Sequence, residues 1–305
     1  MSLKSIKGKI RGVDKTHKVT KAMEAVSAVK MRKSQEKALR GRPYAVVALS
    51  ILERVGGSLD ALSHPLLDVR QLNHLCLLVI TSDKGLAGNL NNAVIRATEK
   101  NIKESGLAKD AISIVAFGRK GRDYFQKHGY PILGSTIPMN DEDEKTAPRR
   151  IVNEIIEAYR AKSYDRVIVI YNQFRSTFEQ EVVVRQLLPL SVSDIKNIIS
   201  GITPERGRYS HTEKERHARE VYTIEPHAEA VLDILFPYLL QVELHHSTLE
   251  ATASEHSARM VAMKNASDKA HDFSKELTRT LNKARQAHIT REISEIVGGI
   301  EAMRV

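Results

Sequence analysis

The chain of 305 residues has no tryptophan, six phenylalanines and nine tyrosines. With 42% hydrophobic but only 5% aromatic residues, burial falls to aliphatic side chains and alanine, which suits helix seams better than one large globular core. Cys76 is the sole cysteine, so an internal disulfide is excluded and a reducing compartment fits. No apolar run approaches the roughly 20 residues that span a bilayer. The basic N-terminus is followed by no apolar stretch of the secretory kind. Glycine and proline, which break helices for backbone reasons, are missing from residues 13–40 and 238–297. The second stretch, if helical, would run on the order of 90 Å at 1.5 Å per residue. A compact domain of this length cannot house it.

What is present is charge, unevenly placed. Residues 1–42 hold thirteen Lys and Arg against three Asp and Glu, which equals the whole formal net charge of +10. The rest of the chain is neutral on balance. A basic helix is either a solvated face, a nucleic-acid contact that releases counterions from phosphates, or a contact for an acidic protein. No aromatic residue is interleaved for base stacking before Tyr44, which weighs against single-stranded nucleic acid.

The C-terminal run has coiled-coil spacing. Leu249, Ala253, His256, Met260, Met263, Ser267, Ala270, Leu277, Leu281, Ala284 and His288 step by three and four, with one jump across Ser274. Such a repeat keeps one stripe against a partner helix. The seam is lean, with Ala, Ser and Met where a strong zipper has Leu or Ile. The N-terminal run offers Leu3, Ile6, Ile10 and Val13, then Val19, Ala22, Met23, Val26 and Val29, interrupted by Thr16, His17 and Thr20. The economical arrangement pairs the two runs antiparallel.

Between them, residues 74–81, 111–118 and 166–172 are short, continuous, β-branched runs of the kind buried on both faces of a sheet. Helical patterns at about 91–105, 120–128 and 148–162 separate them, the last with Pro148 in its first turn. Alternation of this kind predicts a small, mainly parallel, Rossmann-like α/β domain. Residues 181–185 and 221–225 read as edge strands, and 139–150 as a charged loop. The fold expected is α/β: a long antiparallel coiled coil of the terminal helices plus that domain. The limits are 1–60 and 226–305 for the two helical arms and 70–225 for the domain.

Chemistry is hard to find. The turn at 81–89 supplies Gly85 and Gly88 but neither the G-x-G-x-x-G of a dinucleotide site nor a P-loop. His245 and His246 are adjacent and point about 100° apart on a helix, and H-E-x-x-H is absent. No catalytic, cofactor or metal residues are assigned.

Three long motifs are nevertheless distinctive: residues 6–11 with 20–31 (IKGKIR, TKAMEAVSAVKM), residues 258–268 (ARMVAMKNASD), and residues 282–299 (NKARQAHITREISEIVGG). Together with TSDKGLAGNLN at 81–91, they resemble the gamma subunit of F-type ATP synthases over essentially the full chain. The resemblance implies a central shaft, an antiparallel coiled coil inside a ring of three alpha and three beta subunits. The α/β domain then forms a foot against the epsilon subunit and the membrane c-ring. It implies no catalysis by the chain alone and no cofactor; the shaft transmits torque, coupling proton flow to ATP synthesis. Arg285, Gln286 and Thr290 match positions that hydrogen-bond to the ring. Met23 and Arg259 match positions near an acidic loop of beta, and Ala87 another position close to beta. The basic face with Lys21, Lys30 and Lys33 would then meet acidic protein rather than nucleic acid, the alternative being a basic coiled-coil nucleic-acid-binding protein. Nothing resembling a transit peptide precedes Ile6, so the place expected is peripheral, on the cytoplasmic side of a bacterial inner membrane.

Overall fold

A computed structural model describes residues 2–40, 64–133, 146–191 and 228–302. Its elements are α1 (Leu3–Arg40), β1 (Leu75–Ile80), α2 (Leu90–Ser105), β2 (Ile112–Phe117), α3 (Arg119–Lys127), α4 (Thr146–Arg160), β3 (Arg166–Phe174), β4 (Gln180–Leu188) and α5 (Ala228–Ala302). The chain divides into two compact units, residues 29–258 and residues 1–28 with 259–305.

In the larger unit the sheet order is β2-β1-β3-β4. β1 runs parallel to β2 and β3, and β4 returns antiparallel at the edge. The three apolar runs become the three parallel strands. Successive residues of β1 take opposite faces, as strand geometry requires. Leu75, Leu77 and Val79 pack with Val94, Ile95 and Ile102 of α2 and Phe125 of α3. Cys76, Leu78 and Ile80 pack with α4 and the first turns of α5. Burial on both faces explains why these strands read as continuous apolar runs. Asp165 aligns the strand starts, its Oδ2 accepting the backbone N–H groups of Asn73 and His74 at 2.9 and 2.8 Å.

The structure differs from the sequence reading at several ends. The expected edge strand at 181–185 is β4, three residues longer at its C-terminal end. The charged loop at 139–150 is corrected in part, because α4 already begins at Thr146. There Ala147, Ile151, Val152, Ile155, Ile156 and Tyr159 form one buried stripe at helical spacing. The edge strand expected at 221–225 lies outside the described residues.

α5 also exceeds the stretch free of proline and glycine, running through Pro237 at one end and Gly298 and Gly299 at the other. Proline inside a helix forfeits a backbone hydrogen bond and crowds the preceding turn, about 3 kcal/mol. Around it Leu232, Phe236, Leu239 and Leu240 are buried to within 2% exposure. Each contributes roughly 1.5–3 kcal/mol of apolar burial, so packing outweighs the defect. Pro237→Ala is therefore expected to stabilise the full chain by about 2 kcal/mol, the helix gain less the lost stiffness of the unfolded chain. Chemical denaturation of both proteins checks it, and an unchanged midpoint would show that the helix carries no proline defect.

Candidate partner interface

In the smaller unit, α1 and α5 pair antiparallel. Ser274 Oγ donates to Asp14 Oδ1 at 2.7 Å. Three residues further along α1, the His17 ring stacks on His271 with centroids 5.4 Å apart. His17 Nδ1 lies 3.0 Å from the Ser267 carbonyl oxygen and 2.9 Å from its hydroxyl. Either tautomer is thus held: Nδ1–H donates to the carbonyl, or the hydroxyl donates to a bare nitrogen.

Burial along α5 follows the expected seam through Leu249, Ala253, Met263 and Ser267 to Leu277, Leu281 and Ala284. Ser274 fills the jump, partly covered and bonded to Asp14. His288 leaves the seam and is exposed, because from residue 285 onward every described side chain of the helix faces solvent.

The α1 stripe requires a larger correction. Positions 3, 6, 10, 13, 17, 20, 24, 27, 31 and 34 are all covered, an unbroken heptad alternation, with 23, 28, 35 and 37–39 partly covered beside them. It passes through the residues read as interruptions: His17 is half-buried, Thr20 is 8% exposed and Ser27 2%. Thr20 satisfies its hydroxyl within its own helix, on the Thr16 and His17 carbonyls at 3.0 Å. Val19, Val26 and Val29, expected in the seam, are 58%, 56% and 68% exposed. They lie on a second face of α1 with Lys30 and Lys33, both exposed. Lys21 is exposed as well and pairs with Glu24 at 3.1 Å, a surface contact worth little.

Sequence reasoning therefore missed two apolar surfaces. One is the valine face of α1. The other lies at the end of α5, where Ile289, Ile293, Ile296 and Val297 are 43–62% exposed and recur at three- and four-residue steps. Gln286 and Thr290 continue that row, and with Arg285 they are exposed. Large side chains arrayed this way mark a surface awaiting a partner. The signal that could have found them is the surplus: α1 has more apolar residues than one heptad seam can use.

Two expected contact residues are placed inside. Arg259 is 6% exposed and Ala87 2%, whereas Met23 is half-buried. In the loop of Ala87 the side chain turned outward is Leu86, with φ of 65° and 63% exposure. This loop is closed by its own bonds. Asn91 Oδ1 accepts the Ser82 N–H at 2.9 Å and Asp83 Oδ1 accepts the Arg119 N–H at 3.0 Å. These bonds tie the turn to α2 and α3. Cys76 fills core space, and burial pushes its thiol up to about 12, far from the thiolate that nucleophilic chemistry needs. Among the described residues no group of three His, Cys, Asp or Glu is arranged to hold a metal.

Comparison with known proteins returns one family. Its model, described as ATP synthase, matches residues 2–303. The chain is 40% identical over 303 residues to the ATP synthase gamma chain of Pelotomaculum thermopropionicum and 38% over 304 residues to that of Halothermothrix orenii, covering 99% of each. Among solved structures it is similar to a chain of the Euglena gracilis mitochondrial ATP synthase, OSCP/F1/c-ring, with a TM-score of 0.62 at 19% identity, covering 99% of this chain and 94% of that one. A second, from the central stalk and c-ring of the Tetrahymena thermophila enzyme, has a TM-score of 0.53 at 22% identity, covering 82% and 99%. At those identities the structures speak for the fold.

Proposed function

Since the chain belongs to the ATP synthase gamma chain family, we propose that it is the central rotor shaft of a proton-translocating F-type ATP synthase. The shaft turns with the membrane c-ring and drives the three catalytic beta subunits through their cycle. The observation that carries this is the lean antiparallel helix pair with an unpaired, mixed polar and apolar end at residues 285–297. A slender pair of this kind fits inside a sleeve of subunits. The relatives give no support to the nucleic-acid alternative.

On this reading the chain holds no catalytic centre of its own. Residues 1–60 and 226–305 serve as the shaft and 70–225 as the foot, against the epsilon subunit and c-ring. No described helix is long and apolar enough to cross a membrane, and the complex would hold the chain peripherally on the cytoplasmic side of a bacterial inner membrane. Arg285, Gln286 and Thr290 would meet the alpha and beta ring directly, and Met23 with the valine and lysine face of α1 would meet an acidic surface of beta. Buried Ala87 would act through its loop, with Leu86 as the side chain in contact, and buried Arg259 by shaping the helix pair.

The native complex tests the assignment: one copy per three alpha and three beta subunits is expected, and a free homodimer would overturn it. The double variant Arg285→Ala, Gln286→Leu should assemble with an unchanged helical spectrum yet synthesise ATP several-fold more slowly, because both side chains face solvent in the chain alone. Unchanged synthesis in assembled complexes counts against their role.

A further inference from the structure

Beyond the leucines that anchor its first turns, α5 meets the sheet through polar side chains at steps of three and four. Ser254 Oγ donates to the Asn172 carbonyl at 3.0 Å and Ser257 Oγ to the Thr177 carbonyl at 2.7 Å. Glu243 Oε1 receives Arg185 of β4, and Gln173 of β3 reaches Glu250 at 3.5 Å. The side chains of Glu243, His246 and Glu250 are 0%, 9% and 12% exposed. This is a buried ionisable cluster outside every surface assigned above.

Its inventory does not balance. Two carboxyl groups share one guanidinium. His246 adds no positive charge: burial, with Arg185 and His245 nearby, pushes it down to about 4. Four buried polar atoms lack a hydrogen bond of good geometry: Tyr171 Oη, which stands beside Ser247 and Glu250, Glu243 Oε2, His246 Nδ1 and Glu250 Oε2. The last two face each other at 3.9 Å, too far to bond. An ionised carboxylate only accepts hydrogen bonds, whereas a protonated one also donates. One proton thus removes the excess charge and supplies a donor.

We propose that the α5–sheet seam is a proton latch, in which Glu250 takes a proton from solvent to close the seam and loses it to loosen the stretch 243–257. Around Glu250 stand Glu243 and His246 on its own helix, Tyr171 and Gln173 on β3, and Arg185 on β4. Burial first, then the charge of Glu243, moves Glu250 up from 4.5 to about 7. Burial likewise raises Glu243, but its contact with Arg185 opposes the shift, so Glu250 is the site that exchanges. Between about pH 4.5 and 7 the unfolded chain has released this proton while the native chain keeps it. Stability therefore falls as pH rises through that window and levels off above it. The latch is independent of the rotor assignment.

Hydrogen exchange of the full chain at pH 6 and pH 8, corrected for intrinsic rates, tests it. Protection of amides 243–257 should fall on the order of tenfold at pH 8. In Glu250→Gln, which keeps a neutral side chain of the same shape, protection should be nearly the same at both pH values. Equal pH dependence in the two proteins overturns the proposal. Should the variant not fold, carbon-detected titration of glutamate side chains in the unaltered chain decides: one buried carboxyl with a midpoint near 7 supports the latch, and midpoints all near 4.5 refute it.

Discussion

Arg185→Ala is expected to destabilise the full chain by about 3–5 kcal/mol, because it leaves the carboxylate of Glu243 buried without its counter-charge. The pair is enclosed, with side-chain exposures of 14% for Arg185 and 0% for Glu243. The guanidinium lies against Oε1, while Ser247 is a weaker second donor at 3.4 Å. Removing the arginine forces Glu243 to ionise alone or to take up a proton. Its carboxyl, already raised by burial, would rise further, so the loss should be largest at alkaline pH and shrink in acid. Replacing both partners, Arg185→Met with Glu243→Leu, should recover most of the loss, since a packed apolar pair carries no desolvation penalty. Thermal unfolding of the single and double variants at pH 5 and pH 8 checks all three statements. A single-variant loss below about 1 kcal/mol, the range of surface pairs, would show that the seam admits water.

The other large effect is expected at Gly118, where β2 hands over to α3. Its φ is +82°, and a Cβ there would stand 2.1 Å from the Thr81 carbonyl oxygen and 2.7 Å from its carbon. Both obstacles are backbone at the end of β1, fixed by the Thr81 N–H bond to the Phe117 carbonyl at 2.8 Å and by Thr81 Oγ1, which accepts the Gly121 N–H at 2.8 Å. Relief would require parting the end of β1 from its neighbour β2. Gly118→Ala should cost about 3–5 kcal/mol, of which the positive φ accounts for about 1–2 and overpacking for the rest. Gly129 provides the control: its φ is +77° but it has open space, so its alanine variant should show the backbone share alone. Equal losses at the two sites would mean that the close approach at Thr81 contributes nothing. The melting temperatures of the two variants make the comparison.

These sites also show where the sequence could and could not be read. β1, β2 and β3 were legible because both their faces are covered, leaving little but Val, Ile and Leu in the runs. The α5 seam was legible because Leu249, Met263, Leu277 and Leu281 keep heptad spacing over many turns. α1 misled for a physical reason. Periodicity assumes that an apolar side chain turns inward, yet its seam uses Thr20, Ser27 and Ser34, each at most 8% exposed, while three valines face out. A protein that presents two working faces breaks that assumption. The Arg185–Glu243 pair was beyond reach for another reason. Its members are 58 positions apart and meet only because β4 returns antiparallel along β3, with Arg185 paired to Val169. No local pattern carries that register. The exposed row at residues 285–297 was visible by resemblance alone, because on spacing it reads as more seam.

The polar core positions of the helix pair have a thermal consequence. The heat capacity of unfolding grows with the apolar surface exposed and is reduced by polar surface. A seam that sets His17, Thr20, Ser27, Ser267 and Ser274 among Ile6, Ile10, Val13 and Met263 hides less of the first kind than an all-apolar one. The smaller unit is consequently expected to have a shallower stability curve than the larger one. The larger unit, with leucines, valines and isoleucines on both sheet faces, follows the strongly arched curve of an ordinary core.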